Sequence, residues 1–444
     1  MFGRSVIYTD AEYIDENNVV EVLNDALTIH DKNRRDIQHL YDVFCGKHEI
    51  LAKIKDVRPE INNKIVVNYP YRIVRFKTGF QVGDPIQYVS VSGNEKVQQF
   101  NRYMKLCDKD TKDISLVEWV YICGVGYKYG MSVDNIKPFE IETLDPRFTF
   151  VVFDRKINHN QKMCCTFVED SEGHATYYVY TDNKYFEIKD GKIIRSDFYF
   201  GVRQPIVEYH FNNAYLGAFE PVESMCEAID RIASDRMDGL DQFVQAFMVF
   251  KGVNVDNEDF QNLKKEGAIV VPETGDVKYV ISELNQSSTQ TLLDNMYQQM
   301  LEIVGMPNRN GGYSTSDTGL AVIYRDGWSD ASAFAAQDEK MFKKSEREFL
   351  SLIVGFYNDL AKEDIDVADI DINFTRKNYE NIAQKAEVLT TMLNNPKIHP
   401  KLAFIHSDMF TDPETAYKMS DEYYEEYTRR ESEALNREIT DEQF

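Results

Sequence analysis

The chain has 444 residues, enough for two or three domains around a substantial core. Hydrophobic residues make up 43% of it and aromatics 13%, which excludes a disordered chain, and no run approaches the ~18 apolar residues of a membrane span. Asp and Glu outnumber Lys and Arg by 74 to 50, a net charge of −24, which argues against a protein that grips DNA phosphates over a broad basic surface.

The first twenty residues mix Asp, Glu and Arg and lack the apolar core of a signal peptide, so a soluble cytoplasmic product is expected. Six cysteines (Cys45, Cys107, Cys123, Cys164, Cys165, Cys226) form no C-x-x-C pair and read as free thiols. In chain order, residues 41–88 come first as a distinctive run, YDVFCGKHEILAKIKDVRPEINNKIVVNYPYRIVRFKTGFQVGDPIQY. An aromatic-rich helix end closes at Gly46, and the Asn62-Asn63 turn leads into Ile65-Val66-Val67. Asn68-Tyr69-Pro70 then breaks the chain before a second amphipathic stretch. Further on, segments 148–153, 163–168, 175–180, 185–188 and 192–195 have strand composition, with Asp182-Asn183 and Asp190-Gly191 as hairpin turns. Residues 135–212 therefore read as a β-rich section of a mixed α+β domain.

Pro221 is followed by a proline-free run to Pro272, and 308–395 contains no proline, as long helices require. Pro221 opens a helix whose apolar residues Val222, Met225, Ile229, Ile232, Leu240, Phe243 and Phe247 recur on one face. Glu223, Glu227, Asp230, Asp235, Asp238 and Asp241 are expected largely on its remaining surface. A second helix over 288–304 turns Leu292, Leu293, Met296, Met300 and Ile303 or Val304 inward. Between them, 268–271 (Ala268, Ile269, Val270, Val271) and 277–281 (with Val277 and Tyr279) read as two strands joined by a Pro-Glu-Thr-Gly-Asp turn. Residues 306–318, MPNRNGGYSTSDT, form a long polar, Gly-rich connection of the kind that is usually functional. A helix follows from near Gly319 to Leu360, straight or kinked, with Met341, Phe342, Phe349, Ile353, Phe356 and Leu360 on its buried stripe. Helical patterns at 379–393, 399–409 and 413–435 close the chain, broken by Asn394-Asn395-Pro396. The stretch 412–444 holds 11 acidic against 4 basic side chains.

The run from Tyr41 through NNKIVVNYP to Tyr88 resembles the N-terminal signature of bacteriophage portal proteins, in the variety of long-tailed phages of Gram-positive hosts. Where that family has Tyr-Tyr-x-Gly, this chain has Phe44-Cys45 before Gly46. The resemblance implies an α+β subunit: a wing (1–220), a first stem helix (221–250), a small α/β clip (251–286) and a second stem helix (287–305). A tunnel loop (306–318), a long kinked wing helix with its return segment (319–374) and a C-terminal helical crown (375–444) complete it. It implies a ring, most often of twelve, at the portal vertex of the virion after assembly in the host cytoplasm. Double-stranded DNA would pass through its channel during genome packaging and ejection. The stem stripe would pack within and between subunits. The clip residues Ala268, Ile269, Val270, Val271, Val277 and Tyr279 would meet the terminase large subunit and later a head-completion adaptor. Major capsid and scaffolding proteins are further implied partners. Asn308, Arg309, Asn310, Gly311, Gly312, Tyr313, Ser314, Thr315 and Ser316 would line the channel, with Arg309 and Tyr313 touching DNA. An acidic ring of twelve repels DNA over most of its surface, which suits sliding without sticking.

No enzyme, cofactor, metal or membrane role is expected. Gly124-x-Gly126-x-x-x-Gly130 has one residue too many for a dinucleotide fingerprint, and no G-x-x-x-x-G-K-[ST] loop occurs, so the packaging ATPase is a separate chain. His159 near Cys164-Cys165 is not a metal set, because neighbouring strand residues point to opposite faces. Two rival readings are an enzyme built on the β-rich section and a virion adaptor or scaffold that encloses no DNA.

Overall fold

The computed structural model describes residues 3–56, 58–134, 136–244, 247–251, 276–280, 286–308, 327–375, 382–407, 409–410 and 413–441. In chain order, β1 (Ile7–Thr9) leads to α1 (Val19–Phe44), α2 (Tyr69–Val82), β2 (Gln87–Ser90), α3 (Lys96–Leu106) and α4 (Lys109–Cys123). A run of strands follows: β3 (Gly126–Ser132), β4 (Phe139–Leu144), β5 (Thr149–Asp154), β6 (Gln161–Glu169), β7 (Ala175–Tyr180), β8 (Lys184–Lys189), β9 (Lys192–Phe198) and β10 (Ile206–Tyr209). Next come α5 (Glu223–Val244), β11 (Phe247–Lys251), β12 (Asp276–Val280), α6 (Gln286–Val304), α7 (Trp328–Ala361) and β13 (Ile370–Asn373). The helices α8 (Ile382–Leu393), α9 (Pro400–His406) and α10 (Pro413–Asp441) complete the order. The fold is mixed helix and sheet, consistent with the α+β class. Among the described residues no helix is long and apolar enough to cross a membrane.

The chain divides into two units, the first made of Met1–Tyr41, Ile73–Glu220 and Gly305–Phe444. Its larger sheet has the order β1-β5-β6-β7-β8-β9, with β1 parallel to β5 and the rest antiparallel. The β8–β9 hairpin turns at Asp190 and Gly191, both with positive φ (50° and 69°), as a two-residue hairpin loop requires. Alternation on the strands builds the core. Met163, Cys165 and Phe167 of β6 join Phe150 and Val152 of β5, Val179 of β7, and Phe186 and Ile188 of β8. Val19, Val22, Leu23 and Ala26 of α1 cover them, so α1 lies on that face of the sheet. Each large side chain so buried contributes about 1.5–3 kcal/mol. Cys164 is also buried but stands outside this cluster, as its alternate position on β6 demands.

A second sheet, β10-β3-β4, packs against α4 and α7. Two glycines of the would-be nucleotide fingerprint are explained by the close approach of neighbouring chain. Gly124 ends α4 in the left-handed region (φ 80°), and a Cβ there would lie 2.0 Å from the Tyr215 carbonyl oxygen. A Cβ on Gly130 would press within 3.1–3.2 Å of Leu352, Ile353 and Phe349 of α7. On α7, Phe342, Phe349, Ile353 and Phe356 of the expected stripe are buried, and Met341 and Leu360 are half-buried. The described helix begins at Trp328; residues 309–326 lie outside the described residues.

Between these layers sits a buried ionic network. Lys109 Nζ lies 2.6 Å from Asp113 Oδ2 and 3.0 Å from Glu346 Oε1. Lys128 Nζ lies 2.7 Å from Asp113 Oδ1 and 2.8 Å from Glu346 Oε2. The hydroxyls of Tyr88 and Tyr209 donate to the two Glu346 oxygens at 2.7 and 2.5 Å. One node thus joins α4, β2, β3, β10 and α7. Burial alone would raise the Glu346 pKa, but the Lys109 and Lys128 charges outweigh it and hold it well below the usual carboxylate range. Glu346 therefore contributes stability that is present above the unfolded carboxylate pKa of about 4.3 and is lost as pH falls through its depressed value.

Lys128→Met leaves two buried carboxylates with one ammonium and should cost about 3–5 kcal/mol. Denaturant unfolding of the variant beside wild type measures it; a loss below about 1 kcal/mol would show that the network is not needed.

Candidate functional site

The second unit comprises Asp42–Arg72 and Pro221–Val304, and so contains the signature stretch and both expected stem helices. The signature is a strap laid along α5. Its extended residues donate backbone N–H groups to a row of side chains on that helix. Val67 N reaches Asp230 Oδ1 at 2.7 Å, Ile65 N reaches Ser234 Oγ at 2.9 Å, and Asn63 N reaches Asp238 Oδ1 at 2.7 Å. Alternate residues of an extended chain advance about 6.6 Å, and every fourth helical residue advances about 6.0 Å. The two repeats stay in step, with the strap antiparallel to the helix.

Side chains complete the clamp. Asn63 Nδ2 donates to Asp238 Oδ1 (2.9 Å) and Asp241 Oδ2 (2.7 Å). Lys53 Nζ reaches Asp235 (2.7 Å) and Asp238 (3.1 Å), and Lys55 Nζ reaches Asp238 at 2.8 Å. Asn62 Nδ2 donates to Lys53 O at 3.1 Å, closing the turn on itself. Asn68 caps α2 by accepting from Tyr71 N (3.0 Å) and donates its amide to Phe44 O at the end of α1 (3.0 Å). Burial alone would raise the Asp238 pKa, but Lys55, Asn63 and Lys53 depress it strongly. His48 Nδ1 pairs with Asp230 Oδ2, while His48 Nε2 lies 3.1 Å from Val43 O. Burial opposes the imidazolium there, yet the Asp230 hydrogen bond and charge prevail and raise its pKa.

This geometry corrects the sequence reading of α5. Asp230 and Asp238 are 0% and 3% exposed and are not part of an outer acidic surface. The buried row is Val222, Cys226, Ile229, Asp230, Ser234 and Asp238, an apolar start followed by a polar rail. Of the expected stripe, Val222 and Ile229 are buried, Met225 and Ile232 are half-buried, and Leu240 is 50% exposed. Phe243 is helical. Phe247 is not, because α5 ends at Val244 and Phe247 begins β11.

The strand pairing differs too. β12 (Asp276–Val280), which carries Val277 and Tyr279, pairs antiparallel with β11, Phe247 opposite Val280 and Lys251 opposite Asp276. The continuous apolar run FMVF suits a strand better than one face of a helix. Ala268, Ile269, Val270 and Val271 lie outside the described residues. The helices α5 and α6 pack antiparallel, with Cys226 Sγ 3.7 Å from Met300 Sδ and Arg236 Nη1 donating to Gln290 Oε1 at 2.8 Å. Met300, Leu301 and Val304 of α6 are buried, Leu293 and Met296 half-buried, and Leu292 and Ile303 exposed. Of the expected channel loop, Asn308 is half-buried; Arg309, Asn310, Gly311, Gly312, Tyr313, Ser314, Thr315 and Ser316 lie outside the described residues.

Residues 23–441 match the family described as phage portal protein, SPP1 Gp6-like. The chain belongs to that family, whose members are structural rather than enzymatic. No curated protein matches it. Among solved structures, a chain from the virion of a native gene transfer agent particle is similar at 10% identity and a TM-score of 0.48, covering 84% of this chain and 94% of its own. A chain from the neck of an empty gene transfer agent particle, computed with C6 symmetry, is similar at 10% identity and a TM-score of 0.42, covering 77% and 90% respectively.

Asp238→Ala removes the acceptor of Asn63 N and of two ammonium groups together, and should cost about 3 kcal/mol in unfolding experiments. The pH signs of the two ends of the rail are opposite. Asp238, with a depressed pKa, contributes above the unfolded carboxylate range and is lost in acid; His48, with a raised one, contributes fully below about pH 6.5 and is lost as pH rises through its folded value. His48→Gln should therefore destabilise more at about pH 6 than at about pH 9. Equal losses at both would dissociate the His48–Asp230 pair from strap retention.

Proposed function

We propose that the chain is one subunit of the portal ring of a tailed double-stranded DNA phage, most often twelve copies around a channel for genome packaging and ejection. The observation that carries this is the family match across residues 23–441 together with the antiparallel α5–α6 pair, whose Met237, Leu240, Leu292 and Ile303 remain uncovered within the subunit. Neighbouring copies closing head to tail would cover such side chains. In this reading α5 and α6 are the stem, β11 and β12 belong to the clip, α7 is the long wing helix, and α8 to α10 form the crown. The clip would dock the terminase large subunit and later a head-completion adaptor, with capsid and scaffolding proteins around the wing. Location at the portal vertex of the virion follows from the same reading.

Electron microscopy and mass photometry of the purified protein test it: closed rings with a hole wide enough for duplex DNA are expected, and monomers at all concentrations, with scaffolding protein present, would overturn it. Two substitutions on α5 separate folding from assembly. Ile229→Asp places a charge in the buried row and should unfold the subunit. Leu240→Asp, at a half-exposed position, should leave the monomer folded and reduce ring yield at least about tenfold, equivalent to about 1.4 kcal/mol per interface. Rings formed by the Leu240 variant at wild-type yield would remove this face of α5 from the interface.

Arg309 is the one cation of the 306–318 loop. A ring would set about a dozen such charges at one level of an otherwise acidic tube, one weak phosphate contact per subunit. Arg309→Glu should let rings form and impair DNA packaging or retention. Particles with normal DNA content would sink the channel-lining role of the loop without touching the ring.

A further inference from the structure

Outside the strap, the least satisfied buried cation among the described residues is Arg4, which leads into β1. Its Nη2 donates to Glu220 Oε1 at 2.5 Å, and both side chains are almost completely covered. Glu220 also accepts from Gly3 N (3.2 Å) and Gly217 N (2.6 Å), so this end of the guanidinium is firmly held. Arg4 Nε and Nη1 have no protein partner among the described residues, although the residue is only 6% exposed. Buried guanidinium N–H groups are rarely left unpaired, since the lost hydration has no replacement.

Arg4 lines a cavity of about 20 Å³ together with His30, Tyr127, Glu208 and Tyr215. A single water needs at least about 10–15 Å³ and two to four polar partners, so the space fits one water and no organic ligand. Glu208 accepts from Tyr127 Oη at 3.1 Å and from Tyr215 Oη at 2.8 Å, one hydroxyl per carboxyl oxygen, which leaves each oxygen a further lone pair. Burial pushes the Glu208 pKa up to about 7, and the two hydroxyls act against that rise.

We propose that this cavity is the site of one ordered water, which accepts from the Arg4 guanidinium and donates to the Glu208 carboxyl group. The charges select a neutral occupant. Glu220 already balances Arg4, so an anion would stand beside Glu208 uncompensated, and a cation would face Arg4. Water alone supplies an acceptor on one side and a donor on the other. The consequence is mechanical: a hydrogen-bonded link from the residue leading into β1 to β10, which adds to the direct bonds between the two sheets of the first unit, Tyr129 Oη with Tyr180 Oη at 3.3 Å and Gln161 Nε2 to Ile206 O at 3.0 Å.

A structure of the protein at a resolution that shows ordered waters tests this, for wild type and Arg4→Met, each with and without sodium bromide. One peak within hydrogen-bond distance of both Arg4 and Glu208 is expected, unchanged by bromide and lost in the variant. A cavity without a peak, or a bromide ion in it, overturns the assignment from the wild-type maps alone, so the test stands even if Arg4→Met fails to fold. A peak that persists at full occupancy in Arg4→Met equally overturns it.

Discussion

The step match between an extended strap and an α-helix is the constraint on which the second unit depends. Strap N–H groups separated by two residues must find acceptors separated by four, and only short oxygen-bearing side chains reach them. Asp230, Ser234 and Asp238 satisfy that requirement in turn. An apolar residue at any of the three would bury an unpaired backbone donor. A Glu or Gln would carry its acceptor too far from the helix axis. The asparagines of NNKIVVN then fall into place: Asn63 doubles the contact with Asp238 and adds Asp241, and Asn68 ends the strap by bonding α1 on one side and α2 on the other. The row of acceptors is strongly polar, so α5 can present apolar residues such as Leu240 on a different face.

Much of the first unit was legible in the sequence because local chemistry decided it. The Asp190-Gly191 turn, the alternation along β6 and the break at Asn394-Asn395-Pro396 each act over a few residues, and the strands and helices they delimit fall where expected. The strap was visible as a motif and its role was not. An aspartate that accepts from a backbone 163 residues away reads the same, in one sequence, as an aspartate facing water. The usable signal was the i, i+4, i+8 row of Asp-Ser-Asp opposite an alternating extended run. Phe247 was misplaced for a related reason: it sits at helical spacing from Phe243, but it also opens FMVF, and pairing with β12 wins. β1 and the β2–β13 pair escaped because strands of three or four residues carry too little pattern.

The two units solve the burial of charge differently. In the first, two ammonium groups meet two carboxylates and two phenols, and every partner is ionic or a hydroxyl. Such a node costs desolvation and gives little net stability, but it fixes the register of α7 over β3 and β10, since any slip would strand a charge. In the second, carboxylates accept from backbone N–H groups as well as from a histidine, an amide and two lysines. That arrangement holds a segment without secondary structure of its own, which an apolar face could not do, because apolar contact leaves N–H groups unpaired.

These internal uses bear on the acidic surface. Lys53, Lys55, Lys109, Lys128 and Arg4 are all engaged with carboxylates inside the two units. Because cations and carboxylates are withdrawn in similar numbers from a chain with 74 acidic and 50 basic residues, the remaining exterior is proportionally more acidic than the sequence. The helix α10 carries this furthest, exposed from Lys418 to Ser432, with Met419, Tyr423 and Tyr427 on one stripe. Ion pairs such as Arg430–Glu426 (2.5 Å) add only a few tenths of a kcal/mol each to a helix, and most helical stability in proteins comes from packing of an apolar face. An aromatic stripe on an otherwise acidic helix therefore favours packing against other protein over contact with nucleic acid.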